Sequence, residues 1–492
     1  MAPLTSWLPV RSHQEFDLVV KIVGAPASGL AQGWTPIAQA LVRQGLSVMS
    51  QTGRLNGKVG KCVLSIRLAT RPFSSMGHGC DVLVYLGKKA SEYGRVGLQP
   101  GSLLLWDPPS DQQSFSGLPN GVVAYPVPFQ ALSIQSGERF EGKGFAALGV
   151  LFHLLGVSAG TLDQWTASVA APRSFASGVA FARDELEKHD PYALPSIEPN
   201  GRSGVLLRCE HAILLGYAVS VCECRTGCET DLVTSPARWT AHHLRLAESM
   251  VSLLKSDGYP GMQIYRGLQG KVLTVLRGNE SAMAACLKAV TTPRIFVATD
   301  VPDIIRLVKA GHELIRNGLS DGVGVLIEED LASRQHSIDT WTLADWIRPQ
   351  HSVEPDRDGC VPSETHDTMI ERDEGDAEAD IGFVAWGMAQ GVVRDAVALC
   401  RSFGLNVAGL YPRQIVPFCH DDLESFARTV RRVVLVESGQ TPSSWNCLRP
   451  SFSFDYGTLT PPQGQPLTPM DIFLREGLGA VETTETQPRG KE

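Results

Sequence analysis

The chain has 492 residues, 43% of them apolar and 20% charged, with a formal net charge of −8. That balance is globular, and the length suits about three domains at one per 100–200 residues. The acidic excess argues against a nucleic-acid or anionic-membrane surface, and no apolar run reaches the ~18 residues that a membrane-spanning helix needs.

The opening stretch MAPLTSWLPVRSHQEF has no basic segment followed by an apolar one, so no secretory signal and a cytoplasmic location are expected. Residues 17–30, DLVVKIVGAPASGL, read as a strand and a glycine-bearing turn, and Gly33 to Gly45 has helical spacing. Further strands are expected at Ser47–Ser50, Asp81–Leu86 and Ser102–Trp106, with an apolar helix from Gly144 to Gly156. Strands alternating with helices predict a parallel sheet. DPYALPSIEPNGRSG reads as a linker that closes a first domain, 1–195.

A second domain, 205–350, is expected to hold strands at Lys271–Leu276, Arg294–Thr299 and Val323–Ile327 and a helix over Ile304–Asn317. Residues 351–380 are acidic and lack apolar periodicity, which predicts a loosely ordered linker. A third domain, 381–492, should open with a strand at Ile381–Trp386 and a helix over Val392–Phe403 capped by Gly404. Strands at Asn406–Leu410 and Val433–Glu437 follow, and the Pro/Gly/Ser/Thr-rich tail after 448 reads as an extended arm.

The collinear order of several short motifs resembles the fused gamma–alpha subunits of bacterial 2-oxoacid:ferredoxin oxidoreductases over most of residues 17–480. The gamma-like features are the turn Gly24-Ala25-Pro26-Ala27-Ser28-Gly29, the segment Arg54-Leu55-Asn56-Gly57-Lys58-Val59-Gly60 before CVLSIR, Asp81-Val-Leu-Val84, and the Pro-x-Pro-Phe element at 126–129. The last domain is similar to domain II of the alpha subunit. It has Phe383–Ala389, Asp395-Ala396-Val397, Gly404 to Val407, Val416-Pro417-Phe418, Glu437 with Gly439-Gln440, and the segment Gly464–Pro469. In the middle, where the family has a pyrimidine-binding domain, Thr234-Ser235-Pro236 stands for the first loop. Gln263-Ile264-Tyr265-Arg266-Gly267 replaces the acidic helix, Leu276–Glu280 replaces a glycine turn, and a glycine-rich loop is missing before Val301-Pro302-Asp303.

The resemblance implies an α/β protein of three α/β domains: a gamma-like, coenzyme A-associated domain, a truncated thiamine-pyrimidine-like domain, and a transketolase C-terminal-like domain II. It implies a hetero-oligomer that decarboxylates a 2-oxoacid oxidatively with coenzyme A and passes electrons to ferredoxin or another acceptor. Thiamine diphosphate, magnesium and an iron–sulfur cluster are expected in a separate beta subunit, and a ferredoxin-like subunit is a further expected partner. The chain alone is expected to be inactive and to contribute no catalytic residue. The implied cofactor-binding residues are Gly24, Gly29, Arg54, Gly57, Lys58 and Gly60, because glycine-turn N–H groups at a helix start cradle phosphates and cations reinforce them. A tight strand–helix connection with no ligand is the competing reading of the same turn, since Pro26 removes a donor. Cys209, Cys222, Cys224 and Cys228 are candidate metal ligands, though their spacing fits no strong template and cysteine is common in interiors. His420-Asp421-Asp422 reads as an exposed turn. Two further readings stay open: a catalytically inactive structural paralogue of such an alpha subunit, and a free-standing nucleotide-binding regulator.

Overall fold

The computed structural model describes residues 16–25, 30–54, 62–87, 98–108, 118–138, 142–169, 172–195, 204–222, 261–268, 271–277, 293–316, 320, 322–328, 331, 334–339, 342–343, 370–373, 378–416, 420–437, 454–461 and 466–477. They fall into two compact units, one of Met1–Pro72, His78–Leu206 and Gln335–Asp339, the other of Phe73–Gly77, Leu207–Arg334 and Thr340–Glu492. Among the described residues no helix is long and apolar enough to cross a membrane.

The first unit is built on an eight-stranded sheet. Its elements run β1 (Asp17–Gly24), α1 (Leu30–Arg43), β2 (Ser47–Arg54), β3 (Cys62–Ala69), β4 (Cys80–Tyr85), β5 (Leu98–Trp106), β6 (Val123–Pro126), α2 (Phe129–Gln135), α3 (Gly142–Leu154), α4 (Ala159–Ser168), α5 (Pro172–Glu185) and β7 (Gly204–Arg208). The strand order is β6-β5-β4-β1-β3-β2-β12-β7, where β12 is Arg334–Asp339. β1 and β4 are mostly apolar and buried on both faces, with Lys21 and Asp81 as half-buried exceptions.

The sheet is mixed and not parallel as expected. β3 lies antiparallel to both β1 and β2. Only residues 55–61 join β2 to β3, and a parallel return needs a crossover of about a dozen residues or more. β12 belongs to the 205–350 stretch in sequence but joins this first sheet. Ser337 Oγ accepts the Val48 N–H at 2.7 Å, and Gln335 donates to Thr35 Oγ1 at 3.2 Å.

α3 is buried along almost its whole length, with His153 its half-buried exception. A helix apolar on every side lies inside a core rather than on it. It meets α5 with two glycines at the crossing. A Cβ on Gly149 would overlap the Phe175 carbonyl oxygen, and one on Gly178 the Ala146 carbonyl oxygen. α1 starts at Leu30, earlier than the periodicity from Gly33 suggests, and ends before Gly45, whose φ is +97°. Helices α4 and α5 are not anticipated by the sequence reading. The stretch 186–195 has no regular structure but is fastened by Tyr125, Lys188, Asp190 and Tyr192.

The second unit carries two five-stranded sheets. The chain continues α6 (Cys209–Cys222), β8 (Gly261–Leu268), β9 (Lys271–Arg277), β10 (Pro293–Val297), α7 (Val301–Arg316) and β11 (Gly322–Ile327). After β12 come β13 (Ile370–Asp373), β14 (Ile381–Ala385), α8 (Met388–Ser402), β15 (Val407–Pro412), β16 (Gln414–Val416), α9 (His420–Ala427), β17 (Val433–Val436), β18 (Tyr456–Leu459) and α10 (Pro469–Ile472). The sheet orders are β16-β10-β11-β9-β8 and β13-β15-β14-β17-β18. β16 thus crosses from the C-terminal stretch to pair antiparallel with β10. The segment Phe73–Gly77 docks on α8: Ser75 Oγ donates to Asp395 at 2.5 Å, and the Ser74 carbonyl stands where a Gly391 Cβ would be.

Three local expectations are corrected here. Part of the expected linker 351–380 is structured: Ile370–Asp373 is an edge strand antiparallel to β15, tied by the Arg372–Asp422 ion pair at 3.2 Å. An edge strand needs backbone partners more than apolar side chains, so its charge is no obstacle. The rest of that stretch, 351–369 and 374–377, lies outside the described residues. The C-terminal part is no extended arm: β18 pairs parallel with β17, and Leu459, Leu467, Ile472 and Phe473 enter the core around β14 and α8. His420-Asp421-Asp422 opens helix α9 rather than forming a turn, and acidic residues suit a helix start.

Candidate functional site

α1 carries the chain from β1 to β2 on one side of the sheet, while β4 and β5 follow on the other side. β1 is therefore where the strand order turns, and its carboxyl end is the position where open α/β sheets place ligands. Gly24 ends β1 there, and α1 starts at Leu30 just beyond. The first-turn N–H groups of α1 have no intrahelical partner and carry a partial positive charge. No acidic residue lies in that first turn.

Register puts the second half of the candidate set at the same end. Gly24 lies opposite Cys62 of β3, and Cys62 lies opposite Arg54 of β2. Two strand steps of 4.7–4.9 Å place the Gly24 and Arg54 backbones about 10 Å apart. The connection 55–61 leaves from and returns to this end. Gly29, Gly57, Lys58 and Gly60 lie outside the described residues. On the other flank, the Leu86 N–H donates to Val23 O at 2.8 Å, and Gly87 has the Tyr85 hydroxyl lying over its Cα.

Cys62 is a lining residue that the sequence reading passes over; its one signal is its place at the start of the strand after the glycine-rich segment. Burial raises its thiol pKa, with its own backbone amide acting the other way. Of the described residues at this end, Gly24, Ala25, Arg54, Cys62, Leu86 and Gly87 carry no carboxylate, while Asp107 after β5 faces Lys143 at 3.6 Å.

Cys209 stands apart from Cys222 of the candidate metal set. Cys209 starts α6 and Cys222 ends it, which separates them by about 20 Å at 1.5 Å per residue. Cys209 is buried, as a structural cysteine is. Cys224 and Cys228 lie outside the described residues, and among the described residues no group of three metal-ligating side chains occurs. The segment Gln263–Gly267, expected to stand in place of an acidic helix, lies in strand β8, Gly261–Leu268, whose sequence GMQIYRGL has no carboxylate.

Ionisable groups gather instead at the carboxyl end of β10. Asp303 accepts from the Thr299 N–H at 3.2 Å and the Thr299 hydroxyl at 3.1 Å, and it faces Arg413 Nε at 3.3 Å. Asp300 Oδ1 caps α7 by accepting the Asp303 N–H at 2.8 Å. Burial pushes the Asp300 carboxyl up to about 6; Asp303 adds to the rise, and the Asp303 N–H, Arg413 and Arg306 oppose it. A carboxyl whose folded pKa is raised binds its proton more readily in the folded chain than in the unfolded one. Stability from this group is therefore lost as pH climbs from about 4 through about 6. Asp300→Asn keeps the capping oxygen without the charge. It should raise stability at pH 7.5 by on the order of 1 kcal/mol and leave it unchanged at pH 4. Thermal midpoints of both proteins at the two pH values check this; an equal loss at both would mean that the charge is needed.

No family model and no curated protein matches the sequence. Solved structures do match. The 2-oxoglutarate:ferredoxin oxidoreductase from Magnetococcus marinus, determined with 2-oxoglutarate, coenzyme A and succinyl-CoA bound, superposes with a TM-score of 0.69 at 19% identity, over 95% of this chain and 99% of that one. A keto/oxoacid ferredoxin oxidoreductase gamma subunit from Geobacter sulfurreducens aligns with 34% of this chain and 97% of its own, at 23% identity and a TM-score of 0.28. A pyruvate oxidoreductase subunit from Thermotoga maritima aligns with 34% of this chain and 93% of its own, at 14% identity and a TM-score of 0.28. The α/β fold of the Magnetococcus oxidoreductase runs nearly end to end through this chain.

Proposed function

We propose that the chain is a fused gamma–alpha subunit of a 2-oxoacid:acceptor oxidoreductase-type complex. The observation that carries this reading is the near end-to-end superposition on the Magnetococcus marinus 2-oxoglutarate:ferredoxin oxidoreductase. The motif order in the sequence points the same way. The complex would decarboxylate a 2-oxoacid oxidatively, transfer the acyl group to coenzyme A, and pass electrons to ferredoxin or another acceptor.

A separate beta subunit would hold thiamine diphosphate with magnesium and an iron–sulfur cluster. The middle part of this chain fits the pyrimidine half of a thiamine site poorly, because β8 supplies no carboxylate where an activating acid is needed. No catalytic step is therefore assigned to this chain. Its role in the reaction would be binding: the α1 N-terminus, the Gly24–Gly29 turn and the Arg54–Lys61 segment would receive the phosphates of coenzyme A. The missing acid favours a second reading, a structural paralogue that kept the fold and the assembly surfaces and lost the chemistry.

Titration with coenzyme A separates the two. Under the first reading the full chain binds weakly, because Ala25 and Pro26 stand where the family has glycines. Doubling the salt should weaken binding further, and Arg54→Ala should reduce affinity roughly tenfold, the worth of one charge-assisted hydrogen bond. Tight, salt-insensitive binding that ignores Arg54→Ala would place the site elsewhere. Absence of binding even with the partner subunit present would leave the structural paralogue.

A further inference from the structure

The glycine turn that opens the C-terminal sheet already holds a carboxylate. β14 ends at Ala385 and α8 begins at Met388. Between them Gly387 has φ +56° and ψ −142°, a region that glycine adopts freely and other residues only under strain. A helix that starts at such a turn presents unpaired N–H groups and a partial positive charge, the arrangement by which helix starts hold oxyanions.

Glu328 reaches this turn from 60 residues away in the sequence, and its Oε1 accepts the Met388 N–H at 3.4 Å. The same oxygen fills the volume that a Cβ on Gly387 would occupy, and Val297 Cγ1 lies 3.0 Å from that position. Glu328 directly follows β11, so its carboxylate spans from the sheet of β10 and β11 to the helix of the next sheet. The first turn of α8 carries no acidic residue of its own. Trp386 and Met388 on either side of the glycine are buried.

We propose that Glu328 is a built-in anion. Its carboxylate occupies the α8 turn in place of an external oxyanion such as phosphate, closes that turn as a ligand site, and clasps the second sheet to the third. This inference does not rest on the oxidoreductase reading.

The test uses the full-length chain and compares wild type, Glu328→Ala and Glu328→Gln in phosphate and in chloride at matched ionic strength. The alanine variant should melt several degrees below wild type. Phosphate at about ten times its Kd should raise the variant's Tm by roughly 2–3 °C more than it raises that of wild type. Acetate should do the same, because it replaces the missing carboxylate. The glutamine variant keeps an accepting oxygen and fills the space, so it should melt below wild type without gaining a phosphate response. If the alanine variant is insoluble in chloride, phosphate during refolding should recover it. Equal responses to phosphate in wild type and the alanine variant, or no response in either, would overturn the proposal. So would a glutamine variant as stable as wild type, since the negative charge would then be dispensable.

Discussion

Replacing Gly178 by alanine is expected to destabilise the first unit by about 3 kcal/mol, even though alanine is the better helix former. The helix-propensity gain is worth at most about 1 kcal/mol. Against it stands backbone that cannot swing aside: the new Cβ would overlap the Ala146 carbonyl oxygen, with the Ala146 carbonyl carbon 2.9 Å and Cα 3.0 Å away. Gly149, facing Phe175 and Val179 across the same crossing, should behave alike. The two substitutions should not add, because the first already forces α3 and α5 apart. Gly160 in α4 is the control. Nothing lies within 4 Å of its Cβ position, so Gly160→Ala should be neutral or stabilising by roughly 0.5 kcal/mol. Urea melts of the three variants decide it, and a Gly178→Ala protein as stable as wild type would mean that α3 and α5 do not pack this closely.

Lys188→Met should cost about 3 kcal/mol, the low end for breaking a buried ion pair by removing one partner. The Lys188 ammonium donates to Asp190 at 2.7 Å, to the Leu154 carbonyl at 2.6 Å and to the Tyr192 carbonyl at 2.7 Å. Asp190 is fully enclosed, with 0% of its side chain exposed, while Lys188 keeps 39% of its side chain exposed. Loss of the lysine leaves an enclosed carboxylate with neutral donors only, the Tyr125 hydroxyl at 3.2 Å and the Tyr192 N–H at 3.0 Å. Adding Asp190→Asn should recover most of the loss, because the amide keeps those contacts and buries no charge. A single variant within 0.5 kcal/mol of wild type would contradict the account. Asp190–Pro195, the start of the expected linker, is thus fastened through Asp190 and Tyr192, which flank Pro191.

Elements with an unmistakable signature were legible in the sequence. β1 and β4 are mostly apolar, α7 and α8 are amphipathic, and Gly45 and Gly404 sit at positive φ where a helix stops. α6, CEHAILLGYAVSVC, is apolar on all sides and gives no helical stripe to read. β12 buries Arg334, His336 and Ile338 on one face, so polar residues fill core slots and hide the strand. β13 is charged because it stands at a sheet edge. The exchanges of β12 into the first sheet and β16 into the second are long-range pairings that no local pattern encodes.

The candidate site divides the same way. The turn after Gly24 is a local motif and could be named from sequence alone. That Arg54 lies at the same sheet end depends on the antiparallel register through Cys62, which the expected parallel sheet does not contain. Cys209 parts from Cys222 because thirteen helical positions lie between them, a distance that spacing in sequence does not reveal.

Native purification of the tagged chain, followed by identification of what elutes with it and by cofactor analysis, tests the central proposal most directly. A subunit of a 2-oxoacid oxidoreductase should elute with a beta-type partner across an interface of more than about 2,000 Å². Thiamine diphosphate and iron should track that partner, and the separated chain should bind no thiamine diphosphate by calorimetry. A monodisperse monomer with no partner, or a separated chain that binds thiamine diphosphate with micromolar affinity, would contradict it.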